Sequence, residues 1–398
     1  MSGLTKMEPP KKAIPKADDL IAAARDLVPY LREQAARCET ERCVSDDTIE
    51  KLLAAGLFNV VKPKRYGGYE LGWDVFSEIV VAIASGCGST GWVYSVVGGH
   101  APVVVRFGTD LLDELWRDNP DALISSCRRG SGSLQPVTGG YRGTGTGLFS
   151  SGCLNADWVI IEGIPVEGEN RAVTIVVPAA DIEILDTWHA IGLAGTGSHD
   201  LRFADIFIPE HRVWYPGKKP HSEMLEGPLF RTAFLGGPFA LPSVVVGIAV
   251  GGLEHFLATV PTRVSRQGGS LGDLQSMQMR VGEAAVEIDA ALALLRAKLR
   301  ELMTTLSDQK IVYGGAGSIL PAGGTAHGYD QAATGFIAHT AYRALNRLME
   351  AAGANQLSVS APFQRCFRDA LAGTQQPSNN WDNGQTMGGR ELLGRHKA

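Results

Sequence analysis

The sequence has no surplus of positive charge to offer a nucleic acid. Its 398 residues carry 37 Lys and Arg against 42 Asp and Glu, a formal net charge of -5. No basic stripe stands out, so no nucleic-acid partner is expected. Cysteine is scarce and scattered. Of six residues, only Cys38 and Cys43 lie close together, with no histidine or second cysteine pair near them at zinc-ligand spacing. Reduced thiols, a cytoplasmic location and no metal site follow as expectations. Residues 1–17 are rich in Lys and Pro and lack the apolar stretch of a signal peptide, which predicts a flexible tail. No apolar run combines the length and continuity needed to cross a bilayer, so no membrane partner is expected. The 48 glycines follow no fixed period, which argues against a repeat architecture. No glycine-rich nucleotide fingerprint follows a predicted strand, so the chain is not expected to bind NAD(P)H itself.

What is present is 44% hydrophobic residues against 20% charged, ample for a large core and two or three domains. Leu20, Ile21, Ala24, Leu27, Val28 and Leu31 recur at helical spacing. Ser45 stands as an N-cap before Ile49, Leu52 and Leu53, and Gly56 as the stop. Residues 62–68 are predicted as a loop, and further apolar helices run to about residue 118. The middle changes character. Segments 123–127, 157–164, 172–177 and 201–208 are short and rich in Val, Ile and Phe. Glycine turns are expected between them at Gly139–Gly140 and Gly143–Gly145, giving a small β domain that closes near Pro209. Helices return over 239–260, 274–306, 336–352 and 362–373, with a Gly-rich loop over 309–334. The predicted class is α+β, mostly α. The expected division is a tail (1–17), an N-terminal helical domain (18–120), a central β domain of barrel or sandwich type (121–225) and a C-terminal four-helix bundle (226–398).

One short segment stands apart. Gly88-Ser-Thr-Gly-Trp92 reads as a break in a long apolar helical run, and His100 follows eight residues later. A helix apolar on nearly all sides belongs inside a large domain, and small residues at its break let something bulky approach the backbone. The single imidazole is either a core histidine with a satisfied hydrogen bond or a proton-handling group facing a pocket.

This order of helices, β domain and bundle, with these motifs, resembles the acyl-CoA dehydrogenase fold. Within it the chain looks like the group D flavin monooxygenases, the oxygenase halves of two-component systems that hydroxylate phenols and related rings. The resemblance rests on Gly88 to His100, on Gly147-Leu-Phe-Ser-Ser-Gly-Cys-Leu-Asn-Ala-Asp-Trp158, on Gly192-Leu-Ala-Gly-Thr-Gly-Ser198 with Phe203 and Ile208-Pro-Glu-His-Arg212, and on Gln364-Arg-Cys-Phe-Arg-Asp369.

The resemblance implies a homotetramer that takes reduced flavin (FMNH2 or FADH2) from a separate NAD(P)H:flavin reductase. With O2 as co-substrate, it would insert one oxygen atom from a flavin C4a-hydroperoxide into a phenol- or indole-like ring. It places Ser151 at the flavin N5, where a hydroxyl can hydrogen-bond without filling the space above the ring. Phe149 flanks the ring, and Trp92 joins the cofactor-binding set. Thr196, Gly197 and Ser198 approach the isoalloxazine or form a tight turn. Arg263 and Arg266 reach the flavin phosphate of a neighbouring subunit or stay solvated. His100 approaches the substrate hydroxyl as a base. One departure stands out: Gln376 occupies the position of a histidine seven residues beyond Asp369. A glutamine hydrogen-bonds but cannot take a proton. Either His100 does all the proton work or the substrate needs no deprotonation, as an indole, amine or sulfur centre would not. An acyl-CoA dehydrogenase-type desaturase, an N- or S-oxygenase and a non-catalytic relative are the alternatives. A Tyr-Glu-Gly-Thr-like base segment is absent from the last helical region. Residues 381–389 are read as a tail able to close over the pocket.

Overall fold

Apolar spacing in the first fifty residues produces three helices, α1 (Ala17–Asp26), α2 (Val28–Glu41) and α3 (Asp46–Ala54). The stretch read as one helix is two, because Pro29 lacks the N–H needed inside a helix and instead starts α2. Ser45 takes the N-cap position of α3 with extended backbone, but its hydroxyl meets Thr48 Oγ1 at 2.9 Å rather than a backbone N–H. Gly56 ends the unit in the left-handed region at φ 71°. The structure, a computed structural model, describes residues 14–215, 218, 227–231, 239–264, 268–308 and 326–394. Most of the expected tail, Arg266 and residues 309–325 lie outside the described residues.

The central helical pair is α4 (Trp73–Gly86) and α5 (Gly88–Gly99), separated by the single extended residue Cys87. The segment Gly88 to Trp92 is therefore not a gap in a helix but the opening turns of α5. Its glycines are needed for packing. A Cβ on Gly91 would fall 2.5 Å from that of Ala84, and one on Gly88 would fall 2.9 Å from Ile248 and from Asp369. Two short helices, α6 (Ala101–Val104) and α7 (Thr109–Trp116), complete this part.

Seven strands follow: β1 (Ile124–Val137), β2 (Gly140–Ser150), β3 (Trp158–Pro165), β4 (Ala172–Pro178), β5 (Glu183–Leu185), β6 (His199–Pro209) and β7 (Val213–Trp214). They form one sheet in the order β5-β6-β2-β1-β3-β4-β7, with β1 and β3 parallel and the other neighbours antiparallel. Gly139, at φ 83°, makes the β1–β2 turn as expected. Gly143–Gly145 does not turn. It lies within β2, whose strand pattern its glycines conceal. A Cβ on Gly143 would collide with Leu134, and one on Gly145 would sit 2.8 Å from the Phe203 ring. Small residues there make room for the aromatic core of the sheet.

The chain then forms α8 (Ala240–Thr259), α9 (Gln275–Asp308), α10 (Ala326–Ala352), α11 (Pro362–Thr374) and α12 (Trp381–Leu392). Contrary to the sequence reading, residues 240–262 are long and apolar enough to cross a membrane, yet most of the helix is buried inside the protein. Here α8 is the central helix, packed on α4, α10 and α11. Residues 381–389 form a helix rather than an irregular tail. As α12 they dock on α10, with Gln385 Nε2 donating to the Ala332 carbonyl at 2.9 Å. Helices from both ends of the chain share one hydrophobic core, and a second lies on one face of the sheet. The outer face of α9 exposes Met279, Gly282, Val286, Ala290, Ala293 and Ala297, a row with the three- and four-residue spacing of one helix face.

Candidate active site

The break between α4 and α5 aims the indole of Trp92 at the end of β2. Its Nε1–H donates to Ser151 Oγ at 3.1 Å. Ser151 Oγ lies 2.7 Å from Ser198 Oγ, which lies 2.7 Å from Thr196 Oγ1. Thr196 Oγ1 donates to the Leu193 carbonyl at 2.8 Å. Two segments remote in sequence thus meet through three buried hydroxyls. The turn that carries them is tight. Leu193 has φ 51° and Gly197 φ 52°, and the Thr196 carbonyl accepts from Gly152 N–H at 2.9 Å. Gly152 must be glycine: its φ is 72°, and a Cβ would lie about 3 Å from Val93 and Val97 of α5.

His100 closes the other end of α5 and is buried. Its Nδ1 sits 2.7 Å from the Ile124 carbonyl. A carbonyl only accepts, so Nδ1 is assigned the proton and a neutral ring keeps its lone pair on Nε2. Burial pushes the imidazole down to about 4, against a smaller upward pull from the Ile124 carbonyl. The ring is neutral at physiological pH. Ser125, next to Ile124, receives the Ser150 hydroxyl at 3.4 Å, which ties the His100 neighbourhood to the strand end that carries Ser151.

Beside the hydroxyls lies an exposed apolar surface. Phe149 is 65% exposed, Ile191 68% and Leu154 43%. Phe149 also holds the left-handed conformation at φ 59°, which is strained for a bulky residue. Its N–H is held by Asp200 Oδ1 at 3.1 Å, and its ring stands edge-on to Trp188 at 6.3 Å. Strain and exposure of one aromatic ring, beside an incompletely used hydroxyl, suit a flat ring system laid over Phe149 with its polar edge at Ser151.

Helix α11 reaches the same place. A Cβ on Gly373 would stand 3.7 Å from the Trp92 ring and 3.9 Å from Leu193. Just beyond, Gln376 turns its Oε1 back on its own loop, accepting from Ser378 N–H at 2.6 Å and from the Ser378 hydroxyl. Two residues were given no site role from sequence. Asp369 is buried and accepts the Leu193 N–H at 2.6 Å. Burial raises its carboxyl to about 7, opposed by that hydrogen bond. An acid on the apolar face of α11 between Phe363 and Ala370 was the available signal. Asn379 is wholly buried, donates to the Gly373 carbonyl at 3.0 Å and leaves Oδ1 unpaired. Nothing in its sequence context marks it.

Trp92, Phe149, Ser151, Thr196, Gly197 and Ser198 are thus brought together, with His100 at the other end of the same helix. Arg263 is not brought to them within one chain. It lies 18 residues beyond Val245, the α8 residue at Gly373, or about 27 Å along a helix. Its guanidinium caps the last turn of α10 at the Ala352 carbonyl.

Comparison with known proteins agrees with this architecture. Residues 16–116 match the acyl-CoA dehydrogenase N-terminal domain and residues 240–381 the acyl-CoA dehydrogenase C-terminal domain. The chain is 34% identical to a pigment production hydroxylase of Rhodococcus sp. (strain ATCC 21145), covering 88% of this chain and 90% of that protein. It is 32% identical to the oxygenase component of an FADH(2)-dependent resorcinol hydroxylase of Rhizobium sp. (strain MTP-10005), over 94% of each. Among solved structures, XiaF from Streptomyces sp. in complex with FADH2 and glycerol superposes with a TM-score of 0.84 at 27% identity, covering 95% of this chain and 96% of that one.

Proposed function

The chain belongs to the two-component flavin-dependent monooxygenases of the acyl-CoA dehydrogenase fold, as an oxygenase component, and from that premise we propose how it works. It uses reduced flavin and O2 to insert one oxygen atom into a phenol- or indole-like small molecule. The observation that carries the assignment of the site is the Ser151 hydroxyl, fixed by Trp92 and Ser198 at the edge of the exposed Phe149 surface.

Reduced flavin, when bound, supplies the electron pair that activates O2. Phe149 and Trp188 would bear its ring system, and Ser151 would meet its polar edge. Thr196, Gly197 and Ser198 keep the approach free of bulk. His100 is neutral and would accept a ring hydroxyl's hydrogen bond at its Nε2 lone pair. With burial holding the imidazole down to about 4 in the empty site, it takes that proton only as the phenolate formed beside it offsets the buried charge, which enriches the ring carbon ortho to the oxygen. Gln376 donates through Nε2 to a substrate oxygen while Ser378 holds its Oε1, so it orients and does not take a proton. A desaturase would need a free carboxylate base over the ring. Asp369, the one fully buried carboxylate among the described residues, is engaged with Leu193.

Both FMNH2 and FADH2 suit this arrangement, supplied by a separate reductase. The reading includes a homotetramer, for which the apolar outer row of α9 offers a surface to another copy. Arg263 and Arg266 then serve a neighbouring subunit's phosphate. The three-part division at residues 120 and 225 and a cytoplasmic location belong to the same reading.

The test mixes the protein and anaerobically reduced FMN or FAD with labelled dioxygen and a panel of phenols and indoles. A product carrying one labelled oxygen atom is expected. Stoichiometric hydrogen peroxide with no labelled product across the panel would overturn the proposal.

A further inference from the structure

The hydroxyl chain has a direction, and the direction follows from its two ends. The Leu193 carbonyl can only accept, so the Thr196 hydroxyl proton is used there. Thr196 Oγ1 must then accept from Ser198, and Ser198 Oγ in turn from Ser151. At the other end the Trp92 indole can only donate, and it donates to Ser151. Ser151 has therefore given its one proton to Ser198 and used one lone pair on Trp92. What it offers the site is one remaining lone pair and no proton.

The Leu193 backbone that fixes this sense is itself held. Its carbonyl also accepts the Trp188 Nε1–H and the Thr196 backbone N–H, each at 3.1 Å, and its N–H is held by Asp369 at 2.6 Å. Reversing the chain would break the Thr196 hydroxyl bond to that carbonyl, at 2.8 Å the shortest it receives.

An isoalloxazine presents opposite faces of hydrogen-bond chemistry in its two states. The reduced ring carries a proton on N5 and donates, whereas the oxidised ring has a bare N5 that accepts. We propose that Ser198 and Thr196 are positioning residues that fix Ser151 as an acceptor and so make the site select reduced over oxidised flavin. Ser151 meets the N–H of the reduced ring with its free lone pair and sets that lone pair against the bare nitrogen of the oxidised ring. This rests on the placement of Ser151 at the flavin N5 in the proposed function.

The test compares affinities rather than turnover. The full chain is titrated anaerobically by calorimetry with oxidised FMN and FAD and with the same flavins reduced by dithionite. In Ser198→Ala the Ser151 proton is released and can turn to a bare N5. The preference for reduced flavin should narrow by about tenfold, the worth of one hydrogen bond, mainly through tighter binding of the oxidised form. Ser198→Thr, which keeps a hydroxyl, should restore the wild-type ratio. Thr196→Val acts one link further away and should narrow the ratio in the same direction, which covers a failure of Ser198→Ala to fold. Ser151→Ala should weaken reduced flavin.

If Ser151→Ala changes the ratio while Ser198→Ala and Thr196→Val keep the wild-type value, Ser151 contacts the flavin but the relay does not set its sense, and the inference fails. If Ser151→Ala changes neither affinity, the placement of Ser151 at the flavin fails, and the inference with it.

Discussion

The two ends of α5 bury polar groups by opposite means. At the first, Trp92 joins a chain of three hydroxyls in which every proton has an acceptor. At the second, eight residues on, His100 holds the Ile124 carbonyl by one hydrogen bond, and burial keeps it uncharged. Hydroxyls satisfy one another without changing charge, so their environment sets orientation. An imidazole can shed its proton, so the same burial sets its charge state. One helix thus supplies a directional contact and a neutral base, and each should fail in its own way.

The largest break is expected at His100. His100→Ala should lower the rate of product formation about 100-fold or more, the ordinary worth of a positioned base, and leave flavin affinity within about twofold. Rapid-mix product assays with anaerobic titration check both halves. Full activity in this variant would assign the proton work elsewhere.

Next comes pH. An unfolded chain protonates this imidazole near pH 6.5, whereas the folded chain refuses the proton until about pH 4. The stability His100 lends is whole above the higher value and is lost as pH falls toward the lower, up to about 3 kcal/mol. Asp369 runs the other way. The folded chain keeps its proton up to about pH 7, so its contribution is whole below pH 3.8 and falls as pH rises through the interval. Urea unfolding at pH 7 and 5 should therefore show a larger acid-side loss for the wild type than for His100→Gln. Equal losses would mean that His100 is not buried as a neutral ring.

A smaller effect is expected where the hydroxyl end is anchored. Asp369→Leu strands the Leu193 N–H and should cost about 1–3 kcal/mol in urea unfolding, whereas Asp369→Asn, which keeps an oxygen there, should cost less than half of that. Equal costs would show that the oxygen's hydrogen bond is not what Asp369 supplies. The smallest is Trp92→Phe. The indole only donates and leaves Ser151 an acceptor, so its loss should weaken both flavin states by about threefold and leave the preference between them unchanged, as the same titrations would show.

Much of this was legible in the chain. The helical segments follow from apolar spacing, and the family resemblance drew attention to Ser151, Thr196, Ser198 and His100. The contact between Ser151 and Ser198 was not legible, because it joins residues 47 apart and no local pattern encodes it. Strand β2 was hidden by glycines that serve Phe203, a residue on another strand. Helix α12 holds Gly384, Gly388 and Gly389, which locally favour a loop, and docking on α10 overrides that preference. The break at Cys87 was blurred because one extended residue, with no proline, carries it.

The backbone of Leu193 is gripped on both sides of the residue, by the Thr196 and Trp188 side chains on its oxygen and by Asp369, 176 residues further along, on its nitrogen. Closing so long a loop is slow, and it requires α11 to be seated before the Gly192–Ser198 turn is locked. During refolding, far-UV circular dichroism would thus recover ahead of the capacity to bind reduced flavin. The lag between the two signals would time the moment when the end of the chain reaches its middle.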